Sequence, residues 1–583
     1  MHIDKATTTI KGKTYNRTLL RETFREKGKV KHRTIANLSK CSEEEIAAFK
    51  LVLKQKKDLS KLQSLCDAAN AEKGDIQKTG GIKLQQGLSI GAVTLLHSVA
   101  KDIGLCDALG NTEEGKLALW QIFARVIDQG SRLSAVRLAE SHAACDILGL
   151  KGFDEDSLYE NLAWLAENQS SIEDKLFKIL YPEKKPDLFL YDVTSSYFEG
   201  VQNALADFGY NRDGKKGKMQ IVIGLLCDKE GRPVSIEVFQ GNTSDLTTFS
   251  NQIKKVQERF GGASVSFVGD GGMIKKPQIK ELSEHDFHYI TSIGKAQIRK
   301  LIKQDVLQLE LFDKNLVEVI EKKEVPISDK EEDVLPEKKT DVSTRIEYTR
   351  YIVRCNPQRR VEMEETRQSK LARLEKKVAK ENEYLIAHPL GTIARARRDV
   401  VAKLKKLKLQ KWVSVEANDR TLSLKIDEEA HMEERRLDGC YAIKTNIDPA
   451  QLDKETIHGR YKDLASVEKA FRVSKTEVLE MRPIYVRKES STRAHAFVVM
   501  MAYRIVQELA KRWNGVDRKI QESIDELSTL CLHELTLKGE KKISIVPEPR
   551  EMVATLFKLA GVSIPKVFIT KGANVTTKIK LKK

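Results

Sequence analysis

The spacing of apolar positions divides the chain into stretches of different texture. Two extended runs, Tyr15 to Phe24 and Lys29 to Leu38, joined through Lys27-Gly28, predict a small β-hairpin. From about residue 42 to 180 apolar residues recur at helical spacing, as in Ile90, Val93, Leu96 and Val99, or Leu158, Leu162 and Leu165, and predict a helical region. From Pro186 the period shortens to β-type runs: Leu188 to Val193, Gln220 to Cys227, Pro233 to Phe239, Val265 to Val268 and His288 to Ile293. Helical patterns fall at Asp245 to Phe260 and near Lys276 to His285. Three strands, a helix, a strand, a helix and a fifth strand predict an α/β core, a mixed sheet flanked by helices.

After Gly294 the pattern breaks for about 150 residues, too long for a loop in a compact domain. Strand-like pieces (Arg345 to Val353, Leu422 to Ile426, Tyr441 to Thr445) alternate there with two basic helical runs. One carries Leu371, Leu374, Val378 and Leu385; the other, Arg395 to Lys411, has eight basic residues against Asp399 alone. Helical spacing resumes from Tyr461 to Trp513. These textures predict a basic β-hairpin region over 1–60, a helical region over 61–182, and an α/β core split into 183–298 and 451–535. An insertion of strands and basic helices over 299–450 divides the core, and a basic tail occupies 536–583.

Composition narrows the class. With 101 Lys and Arg against 84 Asp and Glu, the 583-residue chain carries a formal charge of +17, and a polyanionic partner is the leading expectation because cations displace counterions from nucleic-acid phosphates. Residues 1–40 alone hold eleven Lys and Arg against Asp4, Glu22 and Glu26. No apolar run approaches the roughly 18 residues that cross a bilayer, and no signal segment opens the chain, so a cytoplasmic protein without a membrane partner is expected. The eight cysteines stand singly, without the C-x2-C pairs of a zinc site, and read as reduced thiols. No G-x4-G-K-[ST] loop is present, so Gly271-Gly272 predicts no nucleotide cofactor.

Three acids stand out. Asp192 follows the apolar run Leu-Phe-Leu-Tyr, where a carboxylate is costly unless paired or bound to a cation. Asp270 closes the run Val-Ser-Phe-Val-Gly and precedes two glycines. Glu468 recurs with Tyr461 and Lys475 every seven residues, a spacing that drifts only about 20° on a helix, with Arg472 one turn away. Each has an ordinary structural alternative: a strand terminator, a helix cap, a solvated helix face. Together they fit a two-metal phosphoryl-transfer site, in which two Mg²⁺ about 3.5–4 Å apart clamp the attacking and leaving oxygens.

In these contexts Asp192, Asp270 and Glu468 resemble the DDE triad of bacterial insertion-sequence transposases, in the group whose third acid lies in Y-x2-R-x3-E-x6-K. Tyr461, Glu468 and Lys475 match that motif, and Leu464 replaces its Arg. The resemblance extends to Phe208-Gly-Tyr-Asn-Arg-Asp213, Gln220-Ile-Val-Ile-Gly224, Gly241-Asn-Thr-Ser-Asp245 and Met481-Arg-Pro-Ile-Tyr485. It implies an RNase H-like fold and a transposase that binds terminal inverted repeats, cleaves the ends and joins the 3′-OH to target DNA. Double-stranded DNA is the implied partner, a homodimer on DNA the implied assembly, and Mg²⁺ the implied cofactor, with Mn²⁺ as a substitute. Asp192, Asp270 and Glu468 would hold the metal. Tyr461, Lys475 and, in place of the missing Arg, Arg472 would grip the end phosphates. Related enzymes stack an aromatic of the insertion on a flipped base, a role open to Trp412, although a core place is commoner for a tryptophan. Lys215, Lys216 and Lys218 read as a solvated turn, and His458 and His495 as structural or surface histidines. The rival readings are a nuclease of the same fold that cuts without joining, and a DNA-binding relic without catalysis.

Overall fold

The computed structural model describes residues 2–10, 13–26, 29–39, 83–261, 265–326, 344–476, 478–482, 484–537, 541–569 and 574–576, with single positions between 41 and 53. The Lys27-Gly28 junction, Pro483 and most of the Lys566 to Lys583 tail lie outside the described residues. At the amino end the two predicted runs appear as β2 (Lys13–Glu26) and β3 (Lys29–Asn37), and β1 (His2–Ile10) adds a third strand. The three pair in an antiparallel meander. The pattern hid β1 because its Thr-Thr-Thr-Ile run lacks apolar alternation; threonine favours strands through its branched Cβ.

A strand β4 (Lys83–Ser89) leads into α1 (Gly91–Asp102), α2 (Glu113–Ile127) and α3 (Arg132–Ser141). A two-residue strand, β5 (Gly152–Phe153), precedes the long α4 (Glu155–Leu180). Helix starts follow from capping chemistry: Thr112 Oγ1 accepts the Gly115 N–H at 3.2 Å, and Asp154 and Ser157 form a reciprocal capping box.

The α/β core then follows the predicted order: β6 (Leu188–Tyr197), β7 (Gln220–Asp228), β8 (Pro233–Phe239), α5 (Asp245–Lys255), β9 (Ser266–Gly269), α6 (Lys276–Glu284) and β10 (His288–Ile293). Strands β6, β7 and β8 are antiparallel, whereas β9 runs parallel to β6 and β10 parallel to β9. The spatial order β10-β9-β6-β7-β8 is the RNase H-like arrangement, a mixed sheet with helices on both faces.

Segment 299–450 contributes β11 (Val317–Pro326) and β12 (Thr344–Cys355), then α7 (Pro357–Ala387), α8 (Ile393–Leu407), β13 (Val413–Asn418), β14 (Thr421–Ile426) and β15 (Cys440–Thr445). Strand β15 pairs with β10, β12 with β15 and β11 with β12, which lengthens the sheet to eight strands in the order β11-β12-β15-β10-β9-β6-β7-β8. The residues between β12 and β15 form a module with its own core, including Leu374, Val378, Leu385, Val400, Leu404 and Trp412.

The chain returns to the sheet through α9 (Lys454–Lys462), α10 (Leu464–Lys475) and α11 (Glu489–Arg512), and β16 (Cys531–Leu537) pairs with β4. Because strand side chains alternate, the sheet has two apolar faces. Phe189, Tyr191, Val193 and Phe267 pack with Phe249 of α5 and Leu282 of α6. Leu188, Leu190, Ile223 and Val268 face the other way, into a core shared with α10, α11 and the helices of residues 91–180. Helix α11 is enclosed on nearly every side, from Ser491 to Leu509, between the sheet and those helices. Among the described residues no helix is long and apolar enough to cross a membrane.

Candidate active site

Strand parity places the first two acids. The parallel ladder of β6 and β9 pairs Leu188 with Ser266 and Leu190 with Val268. Two residues beyond that last pair, on each strand, stand Asp192 and Asp270. Parity puts both on the face of Leu190 and Val268, and neighbouring strands lie about 4.8 Å apart. Strand β6 runs on past Asp192 to Tyr197, so this acid belongs to the body of a strand and not to its end. Asp270 is exposed where β9 ends, and its Oδ1 accepts the Gly271 N–H at 2.7 Å and the Ser292 hydroxyl at 3.3 Å.

Helix α10 supplies the third acid from across the same face. Leu464, Val467, Ala470 and Phe471 enter the core with Leu190 and Val268, and Glu468 projects from the exposed side of that contact. The helical stripe of Tyr461, Glu468 and Lys475 is interrupted at Asp463, which separates α9 from α10. Tyr461, at the end of α9, is hydrogen-bonded to Ser292, and burial together with the charges of Asp270, Glu468 and Asp192 raises its hydroxyl above the usual phenol range.

Asp192 carries the electrostatic signature of the group. Burial pushes its carboxyl up to about 7; the Val193 N–H, donated to Asp192 Oδ1 at 2.8 Å, opposes the rise, and the charges of Glu468 and Asp270 add to it. Arg212 acts in the opposite sense. Its guanidinium is anchored on Asp245 at 2.5 Å and its backbone N–H on Ser195 Oγ at 2.9 Å. Among the described residues no three His, Cys, Asp or Glu side chains are gathered tightly enough to hold a metal ion. The acids therefore share one electrostatic field without forming one coordination shell. As a donor set they fit a hard divalent cation: three carboxylates, one of them raised to about 7 by burial and by its neighbours' charge, with no soft ligand among them.

The remaining candidates take other places. Lys475 is buried; its Nζ meets Asp213 Oδ1 at 2.7 Å and donates to Thr194 Oγ1 at 2.9 Å, so its charge is committed inside the protein. Arg482 closes on the same Asp213 oxygen at 2.5 Å, and the Tyr197 N–H donates to the other oxygen at 3.1 Å. Leu464, at the position of the motif's Arg, is a core residue, and Arg472 lies on the exposed side of α10. Trp412 is 5% exposed within the module core, its ring stacked on His431 with centroids 4.2 Å apart. That burial accords with a core place for this tryptophan. His458 and His495 are buried structural histidines, the first hydrogen-bonded to the Tyr441 hydroxyl at 2.6 Å. Arg212, Asp213, Thr194 and Ser292 were not singled out from sequence; the first two lie in the Phe208 to Asp213 stretch, where an Arg-Asp pair between strands was the available signal.

Comparison with known proteins gives the class. Residues 183–505, more than half of the chain, match the family model described as Transposase DDE domain, and the chain belongs to that family. Residues 3–67 match the IS1634 family transposase N-terminal domain, so the relationship is to transposases of insertion sequences. No curated protein matches the chain. Among solved structures, a cryo-EM structure of a piggyBac transposase synaptic complex with hairpin DNA aligns over 87% of this chain and 82% of its own, at 9% identity and a TM-score of 0.34.

Proposed function

We propose that the protein cuts double-stranded DNA at the terminal inverted repeats of its own element and joins the freed 3′-OH to target DNA. The observation that supports this most is the burial of Asp192 on the face of the sheet that it shares with Asp270 and Glu468: burial first, and then the charges of those two acids, lift its carboxyl to about 7. Such a carboxylate is poised to exchange its proton for a cation near neutral pH.

Asp192, Asp270 and Glu468 would hold two divalent cations, Mg²⁺ or Mn²⁺. When bound, such ions neutralise the charge that develops on a phosphoryl centre under attack and make water or a 3′-OH a better nucleophile. The chain's own groups do the rest. Ser292 fixes the Asp270 carboxylate, Tyr461 caps the site beside Ser292, and Arg212 adds positive charge next to Asp192. Arg472 on the open side of α10 holds end phosphates, while Lys475 positions α10 against β6 through Thr194 and Asp213. Residues 1–180 read the ends, and the enzyme works as a homodimer on DNA in the cytoplasm.

The test is strand transfer with a pre-cut duplex carrying the inverted repeat that flanks the coding region. Joined product that requires Mg²⁺ or Mn²⁺ is expected; cleavage of the uncut duplex with no joined product from the pre-cut one would make the protein a nuclease.

A further inference from the structure

Away from the three acids, a cavity of about 330 Å³ opens between the start of α3 and the segment that follows α10. Its lining includes Arg125, Arg132, Glu480, Arg482, Tyr485 and His495, three arginines against one glutamate. Arg125 and Arg132 are only 6% and 5% exposed. Arg125 donates to the backbone carbonyls of Gln129 and Gly130, and its Nε has no partner. Arg132 donates to His495 Nδ1 at 3.1 Å. His495 Nε2 donates in turn to the Met481 carbonyl at 3.2 Å, which fixes the ring as a neutral acceptor toward Arg132. Among the described residues neither guanidinium has a carboxylate within ion-pair distance. Arg482 differs, being neutralised by Asp213.

Buried cations without counter-charge are expensive, and natural chains keep them where a ligand supplies the charge. Burial draws both guanidinium groups below their usual range, to about 10 for Arg125, where the charges of Asp128 and Glu480 oppose the fall, and to about 9 for Arg132, where the charge of Arg125 adds to it. Two further features point to a site. Gln129 and Glu480, on opposite walls, hold positive φ angles of 51° and 37°, strained for residues with a side chain. Arg132 is the first residue of a ten-residue helix whose Ser131 cap takes the Ser134 N–H, so the positive end of that helix dipole adds to the field. At the rim, Tyr485 is 72% exposed.

We propose that this cavity takes one backbone phosphodiester of the bound DNA, held between the guanidinium groups of Arg125 and Arg132. The site would couple DNA to catalysis, because its wall at Arg482 continues through Asp213 and Lys475 to Thr194, two residues from Asp192 on β6. The assignment rests on the transposase reading above and adds an anchor outside the motif residues.

The experiment compares unaltered protein with Arg132→Gln and Arg132→Lys for binding to the flanking inverted-repeat duplex over a series of NaCl concentrations. Arg132→Gln is expected to weaken binding about tenfold or more and to lower the salt slope by about one unit, with the slope recovered in Arg132→Lys. Hydrogen exchange on the unaltered chain is expected to show duplex-dependent protection at residues 131–134, a readout that stands even if Arg132→Gln does not fold. A folded Arg132→Gln with unchanged affinity and slope, or no protection at 131–134, would overturn the proposal while leaving the transposase reading intact. Failure of the unaltered protein to bind the duplex at all would remove both.

Discussion

Lys475 Nζ meets Asp213 Oδ1 at 2.7 Å, and that carboxylate, 2% exposed, also receives Arg482. One acid therefore neutralises two cations brought from opposite ends of the turn after α10. Removing Asp213 strands both, whereas removing Lys475 leaves Arg482 paired. Asp213→Asn is predicted to cost about 3–5 kcal/mol and Lys475→Met distinctly less. Urea unfolding of the two variants measures the difference, and equal losses would contradict the shared-acid account.

Asp192→Asn is predicted to reduce divalent-dependent cleavage about a hundredfold or more while end binding persists, since the residue serves cation holding and not duplex recognition. The same variant has a stability signature. The folded chain keeps the Asp192 proton up to about 7, whereas the unfolded chain releases it near 3.8, so stability declines as pH rises through that window. In metal-free protein Asp192→Asn should therefore raise Tm by a few degrees at pH 8 and leave it unchanged below pH 4. Added Mg²⁺ should raise the Tm of the unaltered protein but not of the variant.

His495 gives the opposite slope. It is buried, and burial together with Arg125 and Arg132 holds its ring well below the usual histidine range. The unfolded chain takes up a proton below about pH 6.5 that the folded chain refuses, so this contribution is complete above 6.5 and lost as pH falls. Melting at pH 7.5 and 5.5 is expected to show a drop that His495→Gln diminishes.

Trp412 separates packing from recognition. Trp412→Ala should loosen the module by about 3–5 kcal/mol, as expected for a large buried aromatic, and Trp412→Phe much less. Neither Trp412→Phe nor its partner change His431→Gln should alter end binding in a mobility-shift titration. A large loss of binding in folded Trp412→Phe would return the base-stacking role to this residue.

The α/β core was legible because its strands are short, contiguous and apolar: the runs at Pro233 to Phe239 and His288 to Ile293 have the bounds of β8 and β10. Period and residue type are local signals, and so is the end of β9 at Asp270. Strand β11 escaped because Ile320 and the charged run Glu321 to Glu324 break the alternation begun at Val317, and its place beside β12 is a long-range pairing. The roles of Lys475 and Trp412 were hidden for a related reason. A lysine near a catalytic acid and a tryptophan after a basic helix look alike in sequence whether they face DNA or protein. Asp213 and His431 are the partners that these side chains find, and they reach them only through the fold. Tyr461 was readable from spacing, yet its link to Ser292, 169 positions away, was not.

Cys355 and Cys440 are cross-strand partners on β12 and β15, and the Asn356 N–H donates to the Gly439 carbonyl at 2.8 Å. To the sheet, everything from 357 to 438 is one oversized hairpin turn. Evolution can therefore lengthen, shorten or exchange that excursion without moving a rung of the ladder that ends in Thr445 and, through β10 and β9, at Asp270. The same doorway is open to the protein engineer, since a short β-turn joining Asn356 to Gly439 would close the strands and leave the register of the acids as it is.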